Sequence, residues 1–250
     1  MKNSKNRKKL IEGFDSTKIY EPEEAIKILK DKSFVKFDET IDVSINLSID
    51  SSKSDQNIKG VVNLPKGTGK KVKIAVITND EMIKEANSNG ADVAGGNEII
   101  ENISSNKLNF DILIASPDMM PALGKVAKIL GPKGLMPNPK LGTVTKDIGK
   151  AVKNAKSGQV KYKNDKAGIV HAGLGKLSFS SEDILDNLKT FYSAIVKNKP
   201  DAVKGSFIKK VTIASTMGIG IQINQLGLRW CISIDDLLII TCQRLQAHKA

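Results

Sequence analysis

The side chains that usually build a metal centre or an activated nucleophile are scarce here: two histidines, His171 and His248, and two cysteines, Cys231 and Cys242. A structural zinc site needs four nitrogen or sulfur ligands close together, and these four are not clustered at ligand spacing. The cysteines allow at most one bridge and read as bystanders. Base-assisted chemistry outside the C-terminal tail would rest on His171 alone, which falls in an expected hairpin strand. There, contact with phosphate or packing at an edge is the commoner role. Pro65-Lys66-Gly67-Thr68-Gly69-Lys70 suggests a phosphate loop but fails its spacing, because Leu64 stands where the first glycine is required. It also precedes a strand, whereas a phosphate loop opens a helix. Gly173-Leu174-Gly175 and Gly218-Ile219-Gly220 lack the third glycine of a dinucleotide fingerprint and read as turns or hinges. The expectation is a protein with no catalytic residues, no metal and no cofactor.

Charge is the stronger signal. Across 250 residues, 39 basic side chains face 27 acidic ones, a net charge of +12. Such an excess favours a polyanion as partner. It is uneven: Met119–Lys163 holds ten lysines and one acid, Asp147, and is expected to present an anion-binding face. Aromatic residues make up 4% of the chain, too few for the base-stacking platforms of a single-strand groove or an RRM sheet. What remains is recognition of a folded RNA through shape, phosphates and 2′-hydroxyls. No apolar run approaches the ~18 residues of a membrane helix. The Lys-rich start, Met1 to Lys9, lacks the apolar stretch of a secretion signal, so a cytosolic location without membrane contact is expected.

The elements that must position these residues fall into two styles. Glu21-Pro22-Glu23-Glu24 opens a helix, with proline and acids suited to its first turn. Ile41, Val43, Ile45, Leu47 and Ile49 alternate with polar residues, as in a half-buried antiparallel strand. Gly60–Leu64 reads as its partner. From about residue 70 the style changes. Val72–Thr78 and Phe110–Ala115 read as strands buried on both faces, separated and followed by helices over Asp80–Asn89, Asn97–Asn106 and Asp118–Leu130. That alternation predicts a parallel sheet. After residue 159 the antiparallel style returns. Val160–Lys163 and Ile169–Ala172 read as a hairpin. Ile184, Leu188, Phe191 and Ile195 mark an amphipathic helix. Phe207, Lys209, Val211, Ile213 and Ser215 are expected on one face of a last strand. The simplest organisation is an α+β domain from residues 1–66 and 160–225, with an α/β Rossmann-like three-layer domain, 67–159, inserted.

Several strings together resemble the L-one family of bacterial large-subunit ribosomal proteins, the protein of the mobile side stalk. They are Lys36-Phe37-Asp38-Glu39-Thr40, Ser54-Asp55-Gln56-Asn57, the segment from Leu130 through Gly131-Pro132-Lys133-Gly134-Leu135-Met136-Pro137-Asn138-Pro139 to Lys140, Asn164-Asp165-Lys166, and Ser215-Thr216-Met217-Gly218. The match runs in order over roughly residues 9–224 and is highly specific. The resemblance implies a discontinuous first domain with a Rossmann-like insert. It also implies binding to the stalk region of large-subunit rRNA and help in releasing deacylated tRNA from the exit site. Many members repress their own operon by binding a similar structure in its mRNA. The family's rRNA surface maps here to Lys36, Phe37, Thr40, Lys163, Asp165, Lys166, His171, Ser206, Ser215, Thr216, Met217 and Gly218. Lys133 and Lys140 are secondary RNA-facing candidates. Lysine would supply phosphate contacts, hydroxyls would reach 2′-OH groups, and glycine would admit close backbone approach. Away from the ribosome the chain is expected to be a monomer.

Two departures stand out. The family's proline after Thr-Met-Gly is Ile219 here, which would loosen the turn presenting Met217. Residues 226–250 hold both cysteines, the only tryptophan (Trp230) and two of the three arginines. That break in composition reads as a tail of foreign origin, from readthrough, frameshift or a fused or misannotated segment; the alternative is a lineage-specific amphipathic helix that packs Leu237, Leu238, Ile239 and Ile240.

Overall fold

The computed structural model describes residues 10, 15, 18–51, 53–78, 80–105, 109–139, 142–145, 147–200, 203 and 205–225. The tail with Cys231, Cys242 and Trp230 lies outside them, as does Lys140. Packing divides the chain into two compact units: Met1–Lys59 with Tyr162–Ala250, and Gly60–Lys161.

The first unit is organised by β1 (Thr40–Leu47), whose alternation is the clearest in the chain. Ile41, Val43, Ile45 and Leu47 are buried, and Thr40, Asp42, Ser44 and Asn46 point the other way. β1 lies inside an antiparallel sheet ordered β7-β1-β8-β9 with β7 (Ile169–Lys176), β8 (Ile208–Ser215) and β9 (Gly220–Ile223). Two helices, Pro22–Asp31 and Ser181–Lys197, pack on this unit. The longer helix starts at Ser180, whose hydroxyl accepts from the Asp183 N–H at 3.1 Å, satisfying an otherwise orphaned donor. It buries Ile184, Leu188, Phe191 and Ile195, each contributing roughly 1.5–3 kcal/mol by leaving water. Phe191 also meets Tyr162 edge-on, with ring centroids 5.6 Å apart. Apolar residues on one side and polar ones on the other leave this sheet with one solvated face.

Three expectations about the strands around this sheet are corrected. β2 (Lys59–Asn63) does not partner β1; it pairs with β6 (Gln159–Lys163) in a separate two-stranded sheet. β6 and β7 are likewise not a hairpin. The turn between them forms, with the Asp165 N–H donating to Ile169 O at 2.8 Å, but the strands join different sheets and meet only at an isolated Asn164–Val170 bridge. A turn of this composition fixes local geometry; the partners on either side decide where each strand goes. Finally, Lys209 is exposed rather than inward. The β1–β8 register slips between Asn46 and Leu47, so Asn46 faces Lys210 and Leu47 faces Ile208. Such a bulge adds one residue and switches the face of those beyond it.

The second unit holds a parallel sheet ordered β4-β3-β5: β3 (Ile74–Ile77), β4 (Val93–Gly95) and β5 (Ile112–Ala115). β3 and β5 are buried at every position. Ala75, Ile77, Leu113 and Ala115 pack to one side with Ile99, Ile103 and Leu130. Ile74, Val76, Ile112 and Ile114 pack to the other with Ala86, Ile148 and Val152. This is why the sequence shows continuous apolar runs here and not alternation. The region after β5 is not one helix. It is a series of short 3-10 and α turns from Pro117 to Leu130, in which Pro121 lacks a donor and Gly124 lacks a side chain to pack.

Candidate nucleic-acid interface

β1 enters its sheet where β8 leaves it, because the two run antiparallel with Ile41 opposite Ser215. The chain before β1 and the turn after β8, 176 residues apart, therefore meet. Thr216 ties them twice: its Oγ1 accepts from the Thr40 N–H at 3.0 Å and donates to Thr40 O at 3.3 Å. Lys176, at the end of β7, donates to Thr40 Oγ1 at 3.2 Å and to Asp38 O at 3.3 Å. The Asp38 carboxylate accepts from the Ser178 hydroxyl at 2.8 Å and the Ser178 N–H at 3.2 Å.

Under this rim sits Glu39, 1% exposed. One carboxylate oxygen accepts from Ser33 Oγ at 2.9 Å, the other from the Met217 N–H at 3.2 Å, and the Ser215 hydroxyl bonds it too. Burial alone would push this carboxyl up. The donors from Ser215, Ser33 and Met217 outweigh burial and hold it below the ordinary 4.5. A carboxyl lowered on folding stabilises the fold above its unfolded value, and that contribution disappears as pH falls through the lower folded value. Glu39→Gln is therefore expected to flatten the acid limb of stability against pH, measured by circular dichroism during acid titration. An unchanged acid limb would contradict this account of Glu39.

The rim presents two large apolar side chains outward. Phe37 is 55% exposed and Met217 53%, with Lys36, Thr216 and Gly218 exposed beside them in sequence. Thr40 is half-buried and Ser215 buried, so Ser215 acts on the rim through Glu39. A Cβ at Gly218 would fall on Ser215 Oγ, the end of a side chain that can rotate, so Gly218→Ala is expected to turn that hydroxyl off Glu39. The expected result is a lower melting temperature together with weaker RNA binding; a variant normal in both would contradict the packing described. The turn that leads to Ile219 is held by Thr216 Oγ1, by the Met217 N–H and by a Gly218 N–H to Ser215 O bond of 3.2 Å.

The remaining candidates gather elsewhere in the same unit. Lys163, Asp165, Lys166 and Ser206 lie at the Leu47 end of β1, where Leu47 N–H donates to Gly168 O and Ser48 N–H to Phe207 O. Lys163, Asp165, Lys166 and Ser206 are exposed. Ser51 Oγ donates to Lys166 O, and Ser206 Oγ to Ile208 O. Eight strand residues separate the two groups, roughly 25 Å at ~3.4 Å per residue. His171 stands between them on the solvated face, opposite Ser44, with its Nδ1 3.1 Å from Ser44 Oγ and its Nε2 3.9 Å from Asp165 Oδ2. Ser44 is in turn opposite Thr212, and Thr212 opposite Gln222. Asp42 lies one step along, where partial burial pushes its carboxyl up and Lys176 and His171 pull against that shift.

Residue-by-residue reading of the sequence missed Glu39, Asp38 and Lys176 as supports, and Phe34, 44% exposed. An acid followed at once by the start of an alternating strand was the available signal for Glu39, but only its contact with residue 217 gives it meaning. In the second unit Lys133 is exposed, as are Lys150, Lys153 and Lys156 on the helix Ile148–Lys156. That helix turns its apolar side to the sheet, so the lysine-rich stretch includes a solvated helix face. Among the described residues no group of three or more His, Cys, Asp or Glu could hold a metal.

The profile of the ribosomal protein L1p/L10e family matches residues 29–219. The large ribosomal subunit proteins uL1 of Rickettsia peacockii (strain Rustic) and Rickettsia conorii (strain ATCC VR-613 / Malish 7) are each 57% identical over 209 residues, covering 84% of this chain and 87% of the relative. That of Rickettsia bellii (strain OSU 85-389) is equally similar over the same length.

Proposed function

Because the chain belongs to the ribosomal protein L1p/L10e family, a family of structural ribosomal proteins and not of enzymes, we propose that it binds the side-stalk region of large-subunit rRNA through the first unit. Its role as a structural component of the large ribosomal subunit follows from the family itself. The observation that carries the finer reading is the rim. Met217, more than half exposed, is carried on a turn that hydrogen bonds from Thr216 to Thr40 and from Met217 to Glu39 tie to the start of β1, and Phe37, equally exposed, precedes that start next to Lys36. Phosphate contacts from lysines at both ends of the strip position the RNA. Hydroxyls and apolar contacts read sugars and bases.

The tRNA-release role and repression through the chain's own mRNA rest on the family resemblance; a structured mRNA mimicking the stalk would use the same rim. The inserted segment, residues 67–159, would then be a body carried by the rRNA-bound one.

The test is binding of a transcribed stalk fragment across a salt series. Log affinity should fall linearly with log salt, by roughly 0.7–0.9 per phosphate neutralised. Affinity insensitive to salt would overturn this placement. So would a chain that remains unbound while large subunits sediment at moderate salt.

A further inference from the structure

We propose that Glu39 is a positioning residue for RNA: from beneath the rim it sets the Thr216–Gly218 turn at the height and angle at which Met217 and Thr216 meet the ligand. This rests on the reading that the rim binds RNA.

A carboxylate is a costly thing to bury. Among the described residues Glu39 is met by hydroxyls and a backbone amide, and by no lysine or arginine. For stability alone, an apolar side chain in a well-packed site often serves as well as a buried charge. What the carboxylate does that an apolar group cannot is connect. It joins the segment before β1 (Ser33) to the end of β8 (Ser215) and to the backbone of the turn (Met217). Its own carbonyl accepts from the Leu177 N–H at 2.8 Å, tying in the segment after β7. Three separate pieces of chain thus converge on one residue directly behind the exposed methionine.

The direction of the effect separates this role from a merely electrostatic one. A negative charge behind a polyanion-binding surface repels the ligand, so simple removal should strengthen RNA binding. If Glu39 positions the turn, Glu39→Leu should instead weaken it, about tenfold or more. Glu39→Gln should keep most of the affinity. Its amide oxygen can take the Met217 N–H while its NH₂ donates to the Ser33 hydroxyl, which accepts as readily as it donates. Glu39→Asp, one methylene shorter but still charged, should bind several-fold more weakly, and it carries the test if the leucine variant does not fold.

The experiment is equilibrium binding of a transcribed stalk rRNA fragment to the full chain and these variants. Circular dichroism checks the fold, and amide hydrogen exchange at Met217 reports the turn. Weakened binding in the leucine or aspartate variant, faster exchange at Met217 and rescue by glutamine support the proposal. Binding as tight as wild type or tighter in both Glu39→Leu and Glu39→Asp overturns it, as does normal Met217 exchange in a weakened variant. Met217→Ala is measured in parallel. If Met217→Ala also binds normally, the rim itself is misassigned. If Met217→Ala is weakened while the Glu39 variants are normal, only the role of Glu39 fails.

Discussion

Met217→Ala is expected to leave the melting temperature nearly unchanged and to weaken binding of stalk rRNA about tenfold, or ~1.4 kcal/mol. The side chain is 53% exposed, so its loss empties no cavity, and its backbone N–H still reaches Glu39. Thr216→Val should behave similarly but with some loss of stability, since the hydroxyl also bonds Thr40 N–H and O. Ile213→Ala should do the reverse. Ile213 is fully buried on β8, opposite Val43 and Ile221, and truncating such a side chain typically costs ~2–5 kcal/mol. Thermal melts and RNA titrations of the three variants check this together. Early melting of Met217→Ala with normal RNA binding would place Met217 in the core and end the functional reading of this turn.

The second large effect concerns the length of the interface. Lys36 lies at the Thr40 end of β1 and Lys166 at the Leu47 end, too far apart to share a partner. Lys36→Ala and Lys166→Ala should each reduce affinity and lower the salt slope by roughly one phosphate contact. Beyond ~7–10 Å such losses add, so the double variant should show the product of the two fold-changes. Salt titrations of all three variants measure it. If Lys166→Ala has no effect on affinity or slope, the RNA engages the rim alone and not the whole strip.

Elements whose burial follows a simple period were legible in the sequence. The alternation of β1 and the continuous apolar runs of β3 and β5 correspond to a sheet with one solvated face and a sheet covered on both. Pairing was not legible. β2 carries only five residues and could serve β1 or β6 equally well by composition. The turn at Asn164–Gly168 has hairpin chemistry although its strands part company. At Lys209 a one-residue bulge shifts the face, and nothing local announces it. The outward residues of the rim came from motif resemblance. The residues that hold them could not, because Glu39 and Met217 lie 178 positions apart and neither is distinctive alone.

The first unit's rim, and not the lysines of the second unit, is expected to carry the affinity for stalk rRNA. The most direct test is one titration series on the full chain at a single salt concentration. A Met217→Ala/Lys36→Ala variant is compared with a variant in which Lys150, Lys153 and Lys156, exposed on the second unit's helix, are all alanine. The first is expected to lose at least the roughly tenfold, ~1.4 kcal/mol, of Met217→Ala alone, with Lys36→Ala adding to it by an amount that neighbouring sites need not make additive, and the second to change by no more than about threefold. A normal rim variant beside a severely weakened lysine variant would contradict this and move the RNA site to the second unit.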